Sequence, residues 1–236
     1  MSEFDYPHFA KSKLGVVFND QKLLETALTH RSWLNEHRKK RGLEHNERME
    51  FLGDAVLELV TTRFLYVTHD EAEGILTNWR SALVRTESIG LAADKLQVWD
   101  VLHLSRGEKN ANSRARLQIL ANTYEALVGA VYLDQGYDAA SNFIHKSLLV
   151  TLDEILKTGS WQDSKSQLQE VIQATVGVTP SYKVLDEVGP DHEKIFTVGV
   201  FVDGQQKGQG KGPSKQLAQQ SAAEDALKTA QVKADS

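Results

Sequence analysis

The chain has 236 residues, of which 41% are hydrophobic and 25% charged, with 4 Pro and a net charge of −5; this is globular composition, long enough for one or two domains and a real core, and it argues against disorder. The absence of Cys excludes a disulfide framework and a thiolate metal site, and it fits a reducing, cytoplasmic setting. The opening MSEFDYPHFAKSKLG lacks a basic segment followed by an apolar one, and no apolar run approaches the ~18 residues that span a bilayer, so a soluble protein without a membrane partner is expected.

From about Leu14 to Thr158 apolar residues recur at helical spacing, beginning with Leu23, Leu24, Ala27 and Leu28. In Asn46-Glu-Arg-Met-Glu-Phe-Leu-Gly-Asp-Ala-Val-Leu57, Glu47, Glu50 and Asp54 stand at i, i+3 and i+7 and share one side of a helix. Met49, Leu52, Val56 and Leu59 predict its apolar side. Carboxylates stacked this way repel by a few tenths of a kcal/mol per pair. They form either a solvated acidic stripe or a seat for a hard divalent cation, which accepts carboxylates together with water and phosphate oxygens.

Leu83, Ile89, Leu91, Ala92 and Leu96 mark further helical stripes, and Ile119, Leu120, Ala126, Leu127, Val128, Val131 and Tyr132 predict a deeply buried helix. Glu125 lies in the middle of that helix, three residues after Asn122 on the same side. A buried carboxylate requires a partner, which is either a metal or an arginine such as Arg114 or Arg116.

Lys157-Thr-Gly-Ser-Trp-Gln-Asp163 interrupts the helical rhythm and reads as a linker. Beyond it, Ser164 to Thr175 predicts a helix with Leu168, Val171 and Ile172 on one face. Pro180 and Gly189-Pro190 then punctuate β segments at Ser181–Leu185, Ile195–Val202 and around Gly208–Gly212. A final helix runs from about Ser214 to Ala230. Neither side of Ser160 is net basic: 19 basic and 22 acidic residues precede it, and 8 and 10 follow. Affinity for a polyanion must therefore come from local arrangement. Gly204 to Ala223 carries Lys207, Lys211 and Lys215 with no acid, whereas Arg38-Lys-Lys-Arg41 by itself reads as solvated surface.

The string NERMEFLGDAVL resembles the signature of the ribonuclease III family, with Met where that family most often has Leu. The resemblance continues in Leu28-Thr-His-Arg-Ser32, in Gly107-Glu108 and in Ile119 to Asp134. The C-terminal third resembles a double-stranded-RNA-binding domain. The implied architecture is an all-α endonuclease domain over residues 1–156, a linker at 157–162, an α+β domain of α-β-β-β-α order at 163–231, and a tail at 232–236.

Carried over by position, the resemblance makes Glu50, Asp54 and Glu125 metal-binding catalytic carboxylates and puts Asn122 in the place of a fourth. It implies Mg²⁺, with Mn²⁺ able to substitute, and no organic cofactor. The implied reaction is in-line attack of a metal-activated water on the phosphodiesters of double-stranded RNA. It leaves 5′-phosphate and 3′-hydroxyl ends with short 3′ overhangs, in the processing of structured RNA such as rRNA precursors and mRNA. Glu47 matches a position for RNA contact or cation support. Phe51 matches an interface residue of the family's homodimer, the alternative for it being core packing.

In the C-terminal domain, Gln169, Glu170 and Gln173 match contacts to one minor groove and His192 a contact to the next. Lys211, Ser214 and Lys215 match the phosphate-binding helix start. Without the resemblance the glutamines read as an exposed face, His192 as a loop hydrogen bond beside Asp191, and Tyr182 and Phe196 as core.

Two positions depart from the family pattern. Asn122 stands where the family usually has Asp, and Gln216 where it prefers Lys; each lowers the charge available, to cation and to phosphate respectively. An alternative follows, a double-stranded-RNA-binding protein with a weakened nuclease core. A phosphohydrolase of small nucleotides is less consistent with the sequence, which has no Gly-rich phosphate loop.

Overall fold

The computed structural model describes residues 5–37, 43–159, 161, 164–190 and 194–234, with side chains as far as residue 229. The chain forms two compact units, residues 1–161 and 162–236. In the first, helices α1 (Tyr6–Phe9), α2 (Gln21–Ala27) and α3 (Arg31–Glu36) precede the long α4 (Glu47–Thr68). They are followed by α5 (Glu73–Val84), α6 (Thr86–Lys95), α7 (Arg106–Lys109), α8 (Ser113–Ser147) and α9 (Leu152–Thr158). Side-chain caps start several of them where the sequence supplies a short polar residue. Asp20 accepts from the backbone N–H of Lys22 at α2, and Asn112 accepts from that of Ala115 at α8, both at 2.9 Å. No helix among the described residues is long and apolar enough to cross a membrane.

The core of this unit gathers around α8, whose Tyr124, Ala126, Leu127, Val128 and Val131 are fully buried, as the near-continuous apolar run predicts, whereas Tyr132 departs from it and is exposed. At Gly136 the backbone turns to φ 79°, and α8 kinks there. The buried side of α4 differs from the sequence expectation. Gly53, Val56, Leu57, Val60, Thr61 and Leu65 face the core, Met49 and Leu52 only pack at its margin, and Leu59 is 57% exposed. The stripe is turned because its closest contact is made by a glycine, which hydropathy does not count as apolar. Leu91 likewise points outward, at 55% exposure. After Gly159, which caps α9 in the left-handed region, Trp161 packs edge-on against Trp79 with ring centroids 5.9 Å apart.

The second unit begins with α10 (Ser164–Val176) and continues through an antiparallel sheet of β1 (Ser181–Val188), β2 (Ile195–Val202) and β3 (Gln205–Gly212), in that spatial order, to α11 (Lys215–Ala234). Val198 of β2 is paired with Val184 on one side and Gly210 on the other. The strand β3 has little apolar content because its inward positions are glycines. A Cβ on Gly208, Gly210 or Gly212 would come within 2.2–2.7 Å of the backbone of α11. Ala218, Ala222 and Ala226 on that helix complete the close approach, and Leu168, Val198 and Val200 fill the remainder of the core. Tyr182 and Phe196 pack against this core.

Candidate functional site

Helices α4 and α8 form the most extensive helix pair of the first unit, and they meet backbone to backbone. A methyl group on Gly53 would lie 1.7 Å from the carbonyl oxygen of Glu125, and one on Gly129 would lie 2.4 Å from that of Met49. Only glycine fits at this crossing. Glu50 and Asp54 flank Gly53 on α4, while Asn122 and Glu125 lie one to two turns before Gly129 on α8. Residues separated by some seventy positions in sequence are thus brought into one cluster.

The electrostatics of the cluster show how close the groups are. Burial, then the neighbouring charges of Asp54 and Glu50, push the Glu125 carboxyl up to about 7. Glu50 is also raised, first by burial and then by Glu47 and Asp54, while a hydrogen bond with the Asn122 side chain opposes the shift. Asp54 is exposed at the rim. Asn122 accepts through Oδ1 from Gln118 Nε2 at 2.7 Å. Glu47 is exposed and held by Arg31 at 3.1 Å, with His45 Nδ1 at 3.7 Å.

An arginine partner for Glu125 is not what the structure shows. Arg116 pairs with Asp94 at 2.7 Å and lies over the Trp99 ring, and among the described residues Glu125 makes no ion pair. Among those residues its charge therefore has no counter-ion. Among the described residues no three acidic or histidine side chains are already drawn together at coordination distance, so this is an open cluster and not a closed cage. Such a donor set fits Mg²⁺, which keeps several waters and takes only one or two carboxylates directly. It suits Zn²⁺ poorly, which favours nitrogen and sulfur ligands.

Phe51 is 82% exposed, so core packing is not its role. It shares α4 with three further exposed apolar residues, Leu59, Tyr66 and Val67, the second of them 78% exposed.

In the second unit Gln169, Glu170 and Gln173 are exposed along α10 and line an open depression of about 520 Å³ with Ser166 and Ala174. Lys211 is exposed on β3. Ser214 Oγ caps α11 by accepting from the Leu217 N–H at 3.3 Å. Lys215 reaches to 3.5 Å from Glu187 and lies over the Phe196 ring, so a phosphate would compete with Glu187 for it. His192 and the Arg38–Arg41 run lie outside the described residues. Sequence reasoning missed Gln118, Gly53 and Gly129. The signals for them were an amide pair at i, i+4 and a glycine inside each of two strongly helical segments.

Both units match known families. A ribonuclease-III-like domain model matches residues 20–152, and a double-stranded RNA binding motif model matches residues 164–229. Ribonuclease 3 of Pelotomaculum thermopropionicum is 44% identical over 218 residues, covering 92% of this chain and 90% of that protein. Ribonuclease 3 of Enterococcus faecalis is 42% identical over 223 residues, covering 93% and 95%. The nuclease domain of ribonuclease III from Campylobacter jejuni, described for flexibility in a region involved in dimer formation, superposes with a TM-score of 0.52 at 35% identity, covering 58% of this chain and 92% of that one. The acidic crossing of α4 and α8 thus sits inside the matched nuclease domain, the α-β-β-β-α unit inside the matched RNA-binding motif, and the chain belongs to the ribonuclease III family.

Proposed function

We propose that this protein is a Mg²⁺-dependent endoribonuclease that cuts double-stranded RNA to 5′-phosphate and 3′-hydroxyl ends with short 3′ overhangs, acting in the cytoplasm on structured RNA such as rRNA precursors. The observation that carries the reading is the convergence of Glu50 and Asp54 from α4 with Glu125 and Asn122 from α8 at a crossing that only glycines permit. Glu50, Asp54 and Glu125 are the groups that would hold the cation, with Mn²⁺ able to take its place. Bound there, the metal would supply neutralisation of phosphate charge and activation of water.

The protein's own residues do the remainder. Glu50 and Glu125, crowded by their acidic neighbours, resist ionisation without a cation, so the site is built to accept positive charge. Among the described residues no Ser, Cys or His nucleophile constellation offers another route at this crossing. Glu47, steadied by Arg31, stands at the rim, where RNA would pass. In the second unit Gln169, Glu170 and Gln173 would enter one minor groove and His192 the next. Lys211, Lys215 and the start of α11 capped by Ser214 would hold the phosphates.

One chain carries one acidic site, while a duplex has two strands to cut. A homodimer supplies the second site, and the exposed Phe51 is the side chain best placed to join the copies. On the same unit, Leu65, Tyr66 and Leu76 line a cleft of about 350 Å³ that can admit a phenyl ring.

The test is a long RNA duplex incubated with the protein in Mg²⁺ and in chelator, with end-group analysis of the products. Metal-dependent cleavage to 5′-phosphate ends, lost on Glu125→Gln, is the expected result. Tight duplex binding with no cleavage under any metal would instead identify a binding protein with a disabled nuclease core.

A further inference from the structure

The first turn of α11 carries a single cation. Gln216 stands where the family prefers Lys, and after Lys215 the next basic residue of the helix is Lys228. That one ammonium group is already shared. Glu187 of β1 places Oε1 3.5 Å from Lys215 Nζ and Oε2 3.7 Å from Lys194 Nζ. The sheet accounts for the reach. Glu187 is paired with Phe196 across β1 and β2, so both side chains rise from one face of the sheet. Phe196 packs on that face against the core that α11 completes, and Lys215 lies 5.5 Å over its ring. One carboxylate thus stands between two lysines beside the helix start proposed to hold phosphate. It has the sign of a phosphate and cancels half of the lysines' charge.

We propose that Glu187 is an internal counter-ion that competes with RNA phosphate for Lys215 and so limits the grip of this unit on a duplex. The inference rests on the reading of the unit as a duplex-RNA grip with a phosphate site at the start of α11. To bind there, a phosphate oxygen must replace the carboxylate at Lys215 Nζ, while Glu187 keeps its contact with Lys194. Both are surface pairs, with the Glu187 side chain 38% exposed, so the competition is worth a few-fold in affinity and not orders of magnitude. It also lowers the net positive charge brought to the duplex by one, which makes binding less dependent on salt than the lysines alone would make it.

The experiment titrates a fluorescent RNA duplex with the full chain, in chelator to prevent cleavage and over a range of salt. The proteins are the parent, Glu187→Gln, Lys215→Gln, the double variant and Glu224→Gln. Glu224 is the charge-matched control: it lies nine residues beyond Lys215, on the opposite side of α11, and pairs with Lys228 at 2.7 Å. Glu187→Gln should bind about two- to fivefold more tightly, with a salt slope steeper by about one. Glu224→Gln should change little, and the gain should largely vanish once Lys215 is also replaced. An affinity unchanged or weakened in Glu187→Gln, a gain no larger than that of Glu224→Gln, or a gain that survives in full in the double variant overturns the inference. A second measurement needs no RNA. The side-chain ammonium signals of Lys215 and Lys194 should shift in Glu187→Gln and stay in place in Glu224→Gln; signals unmoved by the first substitution also overturn it. Lys215→Gln separates the two levels. If it leaves duplex affinity intact, the phosphate site lies elsewhere and the reading of this helix start fails together with the inference. If it weakens binding while Glu187→Gln gains nothing, that reading stands and the inference alone falls.

Discussion

At pH 8 Glu125 carries a charge that its surroundings resist. Its folded pKa of about 7 lies above the ordinary 4.5, because burial and the neighbours Asp54 and Glu50 disfavour the anion. A carboxyl raised on folding favours the native state only while it is protonated. That contribution is complete below the ordinary value and is lost as the pH climbs through about 7. Metal-free protein should therefore lose stability between pH 5.5 and pH 8, by about 1–2 kcal/mol from this group once solvent screening of a half-buried side chain is allowed for. Glu125→Gln should flatten the slope and melt a few degrees higher than the parent at pH 8. Thermal denaturation in chelator at the two pH values checks this. A parent whose melting temperature does not fall over that range would show that the carboxylates are not crowded.

At the scale of elements, the crossing of α4 and α8 is where sequence and structure part company. Glu47, Glu50 and Asp54 were legible on one helix from their spacing, and Glu125 from its improbable place in an apolar run. That these belong to one site was legible only through the family resemblance, since periodicity describes one helix at a time and says nothing about its neighbour. The glycines carry the missing information: they rotate α4 so that Leu59 faces solvent and set the distance between the two acidic pairs. In β3 the inward residues are again glycines, and the strand extends from Gln205 although its apolar pattern is weak. Gly53→Ala should thus unfold or severely destabilise the nuclease unit, by about 3 kcal/mol or more, because the methyl group meets main-chain atoms that cannot move aside. Gly74→Ala on α5, where a methyl meets nothing within 4 Å, should be neutral or stabilise by up to about 1 kcal/mol. Chemical denaturation of the two variants side by side makes the comparison; equal midpoints would contradict the close crossing.

At the scale of the whole molecule, the exposed apolar side chains on α4 point to a second copy. Four large apolar side chains exposed on one helix are costly to leave in water, and Phe51 adjoins the acidic cluster. Phe51→Ala should shift sedimentation from dimer to monomer at micromolar concentration and lower cleavage of long duplexes by about tenfold or more, while the melting temperature of the monomer changes little. A dimer that persists at full strength would place the interface elsewhere on the unit.

The contact of Trp161 with Trp79 sets the length of a leash. It holds the chain to the nuclease unit up to that residue, and α10 begins three positions later in the sequence. An RNA-binding domain on so short a tether experiences any duplex engaged by its own nuclease unit at an effective concentration near millimolar. On the proposed function, individually weak grips on groove and phosphate would then multiply into firm retention, by which an acidic protein of net charge −5 would hold a polyanion.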